Sequence, residues 1–151
     1  MTAPEVVATL ERAGRTLLAM GLRGHSLGMR SWWPDVVHDR ADAYGWTGEQ
    51  VRAPVPEPRV ISEMDEAYRW VEMIDSPVRR RIVLARSLVN PVTERHLYSW
   101  RRIGQRLGCD HKAAQLWHRQ GIEMIVSGLA RRVRMKNSLA QTPQNLPLLS
   151  A

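Results

Sequence analysis

Several residue types are scarce in this chain of 151 residues, and each scarcity excludes a class of protein. The one cysteine, Cys109, excludes an intramolecular disulfide and fits a reducing compartment. No apolar run approaches the roughly 20 residues that cross a bilayer, so we expect a soluble, cytoplasmic protein with no membrane contact. Gly-rich phosphate loops, nucleophile elbows and zincin motifs are missing, so we expect no enzyme, no cofactor and no metal site.

Carboxylates are scarce in the second half of the chain. Residues 1–76 contain 8 arginines and 12 Asp or Glu, a net charge of −4, whereas residues 77–151 contain 14 Lys or Arg and 3 Asp or Glu, a net charge of +11. A basic half joined to an acidic half is typical of a polyanion-binding region linked to something else. Solubility, or pairing of the two halves with each other, is the alternative interpretation.

The apolar residues recur with a helical period and sustained strand alternation is absent, which predicts an all-α protein. A short helix is also expected to open at Pro34 and to stop at Gly45, within a segment rich in Trp. The other predicted helices run from about Pro4 to Met20, from Arg59 or Ser62 to Ile74, from Pro77 to Val89, from Tyr98 to Leu107, and from Asp110 to Leu129 or beyond.

A proline-rich stretch predicts the division into domains. Residues 51–58 contain three prolines and are interpreted as a linker. Residues 1–50 are predicted to form an acidic helical segment for oligomerisation or partner contact, and residues 59–136 a DNA-binding domain. Residues 137–151 are polar, contain proline and show no period, so they are predicted to be disordered or ordered by a partner.

The stretch "IGQRLGCDHKAAQLW", residues 103–117, has the pattern of a helix-turn-helix. Glycine tolerates the left-handed turn that this motif needs, which assigns the turn to Gly108, and Gly104 is the small residue where the helices cross. Asp110 is placed to cap the second helix. The apolar contacts are assigned to Trp100, Ile103 and Leu107 on the first helix, to Cys109 in the turn, and to Ala114 and Trp117 on the second helix.

Polar side chains of the second helix are the predicted base readers, because Lys, Arg and Gln pair with base edges in the major groove. These side chains are expected to point away from Ala114 and Trp117. The predicted base readers are His111, Lys112, Gln115, His118 and Arg119. Nearby cations suit phosphates. The predicted phosphate contacts are Arg101, Arg102, Arg106, Arg131, Arg132, Arg134 and Lys136. A solvated helix end is the alternative for residues 131–136, since cations are favourable at a helix C-terminus.

The segment "DSPVRRRIVLARSL", followed by "WRRIGQRLGCDHKAAQLWHRQGIEMI", resembles the fourth-region helix-turn-helix of sigma factors over about residues 60–128. It departs from that pattern at Ala113 and Ala114, where Thr-Val is usual, and in a longer link, "NPVTERHLYS". With "WWPDVV" and "AYGW" upstream, the whole chain is similar to an uncharacterised family of small helix-turn-helix proteins of phages, prophages and alphaproteobacteria. The resemblance implies a phage-type DNA-binding protein, without the promoter-melting and core-binding regions of a sigma factor.

These observations lead to an expected function. We expect a sequence-specific double-stranded DNA-binding protein that regulates transcription, and a homodimer, because one reader helix covers about half a site. One alternative is a phage DNA-packaging recognition subunit similar to a small terminase. The other is a protein-interaction module that contacts RNA polymerase or phage proteins.

Overall fold

The computed structural model describes residues 1–20 and 55–140. In these residues the chain forms helices and no strand, which confirms the all-α prediction for this part. A 3₁₀ turn, Val71–Met73, follows the second helix. The helices are α1 (Ala3–Ala19), α2 (Pro58–Trp70), α3 (Pro77–Ser87), α4 (Trp100–Leu107) and α5 (His111–Ala140). The helix predicted to open at Pro34 lies outside the described residues.

Local signals in the sequence set the helix starts. The Thr2 N–H donates to the Glu5 carboxylate at 2.6 Å, so the first turn of α1 is closed by its own side chain. This hydrogen bond holds the pKa of the Glu5 carboxyl below its usual value. Pro58 and Pro77 open α2 and α3, at positions where the missing proline N–H is not needed.

Two hydrophobic clusters hold the helices together, and α5 contributes to both. The larger cluster joins α1, α2, α3 and α5 through Val6, Leu10, Ala13, Met64, Ala67, Tyr68, Trp70, Val71, Ile74, Val83, Leu84, Ile122 and Ile125. The smaller cluster joins α3, α4 and α5 through Ile82, Ala85, Leu88, Tyr98, Ile103 and Ala114. Since α5 packs into both clusters, its orientation is fixed by the core of the whole helical body.

The structure corrects two predicted boundaries. The linker at residues 51–58 does not set α1 apart, because α1 packs directly into the larger cluster with α2, α3 and α5. Residues 1–20, the described part of the predicted segment 1–50, hold two arginines and two glutamates. The predicted tail from residue 137 begins too early, because α5 continues to Ala140. The remainder of each predicted segment, residues 21–50 and 141–151, lies outside the described residues.

The last helix is long for a protein of this size. α5 contains 30 residues, which corresponds to a length of about 45 Å. Its length does not make it a membrane helix: none of the helices in residues 1–20 and 55–140 is both long enough and apolar enough to cross a bilayer.

Helices α1 and α3 approach each other closely at Gly14. A β-carbon built on Gly14 would collide with the carbonyl group of Ser87, the last residue of α3. Ser87 is buried, and its hydroxyl donates to the Leu84 carbonyl at 2.8 Å. The obstacle is therefore backbone in a packed region, which cannot rotate away as a flexible side chain can.

We predict that Gly14→Ala destabilises the protein by about 1–3 kcal/mol, because the added methyl forces α1 and α3 apart. The free energy of unfolding in urea checks this. Gly128→Ala on α5 is the matched control, since the three atoms nearest its new methyl belong to the side chain of Met73, which can rotate, and not to backbone. Equal losses for the two variants would contradict the close approach of α1 and α3.

Candidate nucleic-acid interface

A left-handed glycine ends α4 and redirects the chain into α5. Gly108 has φ 66° and ψ 30°, a conformation that L side chains rarely adopt. The N–H of Cys109 donates to the Gly104 carbonyl at 2.9 Å, which satisfies one of the free carbonyls at the helix end. The predicted bend at Gly108 is confirmed, and α5 restarts at His111.

Small and polar residues bring the two helices together around this bend. A β-carbon at Gly104 would press on the Cys109 carbonyl and the His111 nitrogen, so the predicted small residue at the crossing is required there. The Asp110 carboxylate accepts a hydrogen bond from the Lys112 N–H at 3.2 Å. That bond lowers the pKa of the Asp110 carboxyl, and it confirms Asp110 as the cap of α5.

The predicted apolar contacts between α4 and α5 are also confirmed. Ile103 and Ala114 are buried in the smaller cluster. The partly buried side chains that pack against it include Trp100, Leu107, Cys109 and Trp117. The inner side of the first two turns of α5 is therefore anchored on α4 and α3.

The opposite side of α5 is exposed. Lys112, Gln115 and Arg119 are all exposed, as predicted, and their spacing of three and four residues puts them on one side of the helix. Leu116 lies between them with 45% of its surface exposed, a feature that the sequence reasoning missed. Glu123, also exposed, comes one turn after Arg119 and ends the cationic stretch. We define the reader face as Lys112, Gln115, Leu116 and Arg119.

His111 lies at the edge of the reader face. Its Nδ1 is 2.9 Å from the Asp110 carboxylate, and its side chain is 40% exposed. The imidazole therefore already has a partner in the residue that caps α5. A protonated His111 would form an ion pair with that carboxylate.

The prediction that His118 points outward with the base readers is wrong. Its ring packs edge-on against the Trp100 ring, with the centroids 5.3 Å apart and the planes at 77°. It also lines a small pocket together with Leu10, Arg86 and Ile122. The physical reason is the helical period: Ala114, His118 and Ile122 are each one turn apart, so they share the inner side of α5.

A polar cluster that the sequence reasoning did not identify surrounds His118. The Arg86 guanidinium lies 4.5 Å from the centroid of the Trp100 ring, and it donates to the Tyr98 carbonyl at 3.1 Å. His96 connects the cluster to α1: its Nδ1 is 3.0 Å from the Arg86 carbonyl and its Nε2 is 3.6 Å from the Glu11 carboxylate. Burial lowers the pKa of Arg86. These contacts fix the start of α4 on α3.

Helix α4 carries three arginines that the sequence predicted as phosphate contacts. Arg101 and Arg106 are exposed, and Gln105, which the sequence reasoning did not select, is exposed between them. Arg102 is half-buried, with its guanidinium carbon 5.7 Å from the centroid of the Tyr98 ring. Of the three arginines of α4 that were predicted to contact phosphates, two are thus exposed and the third packs against an aromatic ring.

The four cations near the end of α5 form a separate surface. Arg131, Arg132, Arg134 and Lys136 are all exposed, and so is every residue from Ala130 to Ser138. A rise of 1.5 Å per residue puts these cations roughly 29–36 Å along the helix from Lys112. We define residues 130–138 as the distal arm. The predicted phosphate contacts therefore fall into two groups, one on α4 and one on the distal arm.

We predict that acid destabilises the protein through His118. Burial, with Arg86 and His96 nearby, lowers the pKa of His118 from 6.5 to about 4. The unfolded chain therefore binds a proton at His118 more readily than the folded chain does. The free energy of unfolding is accordingly highest, as far as His118 is concerned, above about pH 6.5. It falls by up to about 3 kcal/mol as the pH falls toward about 4. The free energy of unfolding in urea, compared at about pH 7 and about pH 4.5, measures it.

Two variants isolate this effect from other acid-sensitive groups. His118→Gln should lose the His118 share of the pH dependence, whereas His111→Gln, at a half-exposed position outside the cluster, should keep it. The same pH dependence in His118→Gln as in the unaltered protein would show that the buried imidazole is not responsible.

Comparison with known proteins gives one family. Residues 22–125 match the family described as a domain of unknown function, DUF6362, so the match begins after α1 and ends before the distal arm. No curated protein and no solved structure matches the chain. Since the match covers more than half of its residues, the chain belongs to the DUF6362 family.

Proposed function

We propose that this protein binds duplex DNA sequence-specifically and regulates transcription, with the start of α5 in the major groove. The observation that supports this most is the reader face: Lys112, Gln115 and Arg119 are exposed together on a helix whose other side is buried. Lys, Gln and Arg are the side chains that make bidentate contacts with guanine and adenine edges. The resemblance of residues 60–128 to the fourth-region helix-turn-helix of sigma factors agrees with this assignment.

The surroundings of the reader face fit a duplex. Arg101 and Arg106 are exposed on α4, the helix that the bend at Gly108 joins to α5, and would contact phosphates, which fix the register of the protein on DNA. The Asp110 carboxylate accepts a hydrogen bond from the backbone of α5, so its negative charge is stabilised by the helix N-terminus. His118 is excluded from the base readers by its packing against Trp100.

The short length of the reader face favours binding of two copies of the protein to one DNA site. From Lys112 to Arg119 the helix advances only about 11 Å, which is enough for a few base pairs. Helix-turn-helix proteins commonly overcome this by binding two half-sites about one helical turn of DNA apart as a dimer. We therefore propose a homodimer on DNA.

The first test is a comparison of cognate and random duplexes. Gln115→Ala and Arg119→Ala should each weaken binding to a selected site by roughly 1–3 kcal/mol and binding to random DNA by much less, because base contacts carry the sequence information. Fluorescence anisotropy with the full chain measures both affinities. Arg12→Ala is the matched control, since Arg12 is an exposed arginine on α1.

The outcomes of this test are distinct. Equal losses on both duplexes would reassign Gln115 and Arg119 to phosphate contacts. Absence of binding to any duplex, together with co-purification with RNA polymerase, would overturn DNA binding and support the protein-interaction alternative.

The second test concerns the distal arm. Replacing Arg131, Arg132, Arg134 and Lys136 together by Gln removes four charges while keeping good helix formers. If the arm contacts DNA, the slope of log affinity against log salt should become shallower by up to about 3–4 units, with equal losses on cognate and random duplexes.

A control keeps the charges of the arm and changes its apolar residues. Val133 and Met135 are 58% and 67% exposed, so Val133→Ala with Met135→Ala should leave the salt slope unchanged. An unchanged slope in the Gln variant would show that the distal arm does not contact DNA and would support the solvated helix end.

A further inference from the structure

Leu116 stands out on the reader face because of its neighbours. It lies one turn after Lys112 and three residues before Arg119, with Gln115 adjacent. Among the residues of α5 that precede the distal arm, it is the only large apolar side chain that is exposed. Single exposed leucines are common on protein surfaces. This one shares the exposed side of α5 with the three polar side chains to which we have assigned base contacts.

The major groove presents one apolar group among its donors and acceptors, the 5-methyl of thymine. A leucine next to base-reading polar side chains is complementary to a T·A pair next to pairs that offer polar contacts. The buried side of α5 fixes the direction of Leu116, because Ala114, two residues earlier, is fully buried. The leucine therefore faces the same surroundings as Lys112 and Arg119.

We propose that Leu116 is a specificity-determining residue that contacts a thymine methyl group within the recognised half-site. This inference rests on the proposed DNA-binding function and deepens it by naming a base that the half-site contains. The contact favours thymine over cytosine, which has no methyl group, and over uracil, which differs from thymine only by that methyl group.

The experiment uses thymine-to-uracil replacement. A site is selected from random duplexes with the full chain, and each thymine in the site is then replaced singly by uracil. At one position the unaltered protein should lose about fourfold in affinity, as expected for the burial of one methyl group. In Leu116→Ala the same replacement should have no effect, because the apolar partner of the methyl group is already removed.

A matched control distinguishes this contact from a general loss of apolar surface. Val78, on α3, is 39% exposed, and Val78→Ala should retain the fourfold penalty of uracil. Urea unfolding of Leu116→Ala should match that of the unaltered protein to within about 0.5 kcal/mol, as for surface substitutions generally.

The failure of this inference can be told from the failure of the proposed function. Sequence-specific binding in which no thymine methyl matters, or in which its effect persists in Leu116→Ala, overturns the role of Leu116 and leaves DNA binding intact. Failure to select any site, with no binding to duplex DNA, overturns both.

Discussion

The burial of one side of α5 determines which of its residues can meet a partner. Ala114 packs into the smaller cluster, and Ile122 and Ile125 pack into the larger one, so the helix is held at two places along its length. A rotation by one residue, about 100°, would expose isoleucines and bring Lys112 and Arg119 toward the core, where an unpaired charge is very costly. The outward direction of the reader face is thus a consequence of packing several turns away.

The polar cluster around Arg86 holds α4, the helix that precedes α5, in position. α4 has only eight residues, too few for a stable helix by itself. It is held by the Ser99 hydroxyl at its start, by Gly108 at its end, and by Trp100, which contacts both the Arg86 guanidinium and the His118 ring. Side chains from α3 and α5 thus fix the position of α4. The start of α5, which carries the reader face, packs on α4 and depends on that position.

Much of this arrangement was predictable from local sequence. Hydrophobic period and proline positions identified all five helices of the described residues, and Gly108 identified the bend. The placement of His118 was predictable as well, since Ala114, His118 and Ile122 follow one another at a spacing of one turn. The contact of Gly14 with Ser87 was not, because periodicity indicates which face of a helix is buried and gives no information on its partner. The opposite net charges of the two halves of the chain likewise gave no information on packing, and α1 shares a core with helices of the basic half.

Under the proposed function, the distal arm of α5 contributes affinity for DNA in general, and the reader face contributes discrimination among sequences. Phosphate contacts from Arg131, Arg132, Arg134 and Lys136 would raise the affinity for every duplex equally, since phosphates carry no sequence information. Discrimination among sequences must then come from the side chains that meet base edges. Gln115 and Leu116 are neutral, so their contribution depends on complementarity and little on salt. Lys112 and Arg119 would combine charge with recognition of base edges. Gln115 and Leu116 lie on the two flanks of that pair, and they would discriminate among sequences without raising the affinity for every duplex.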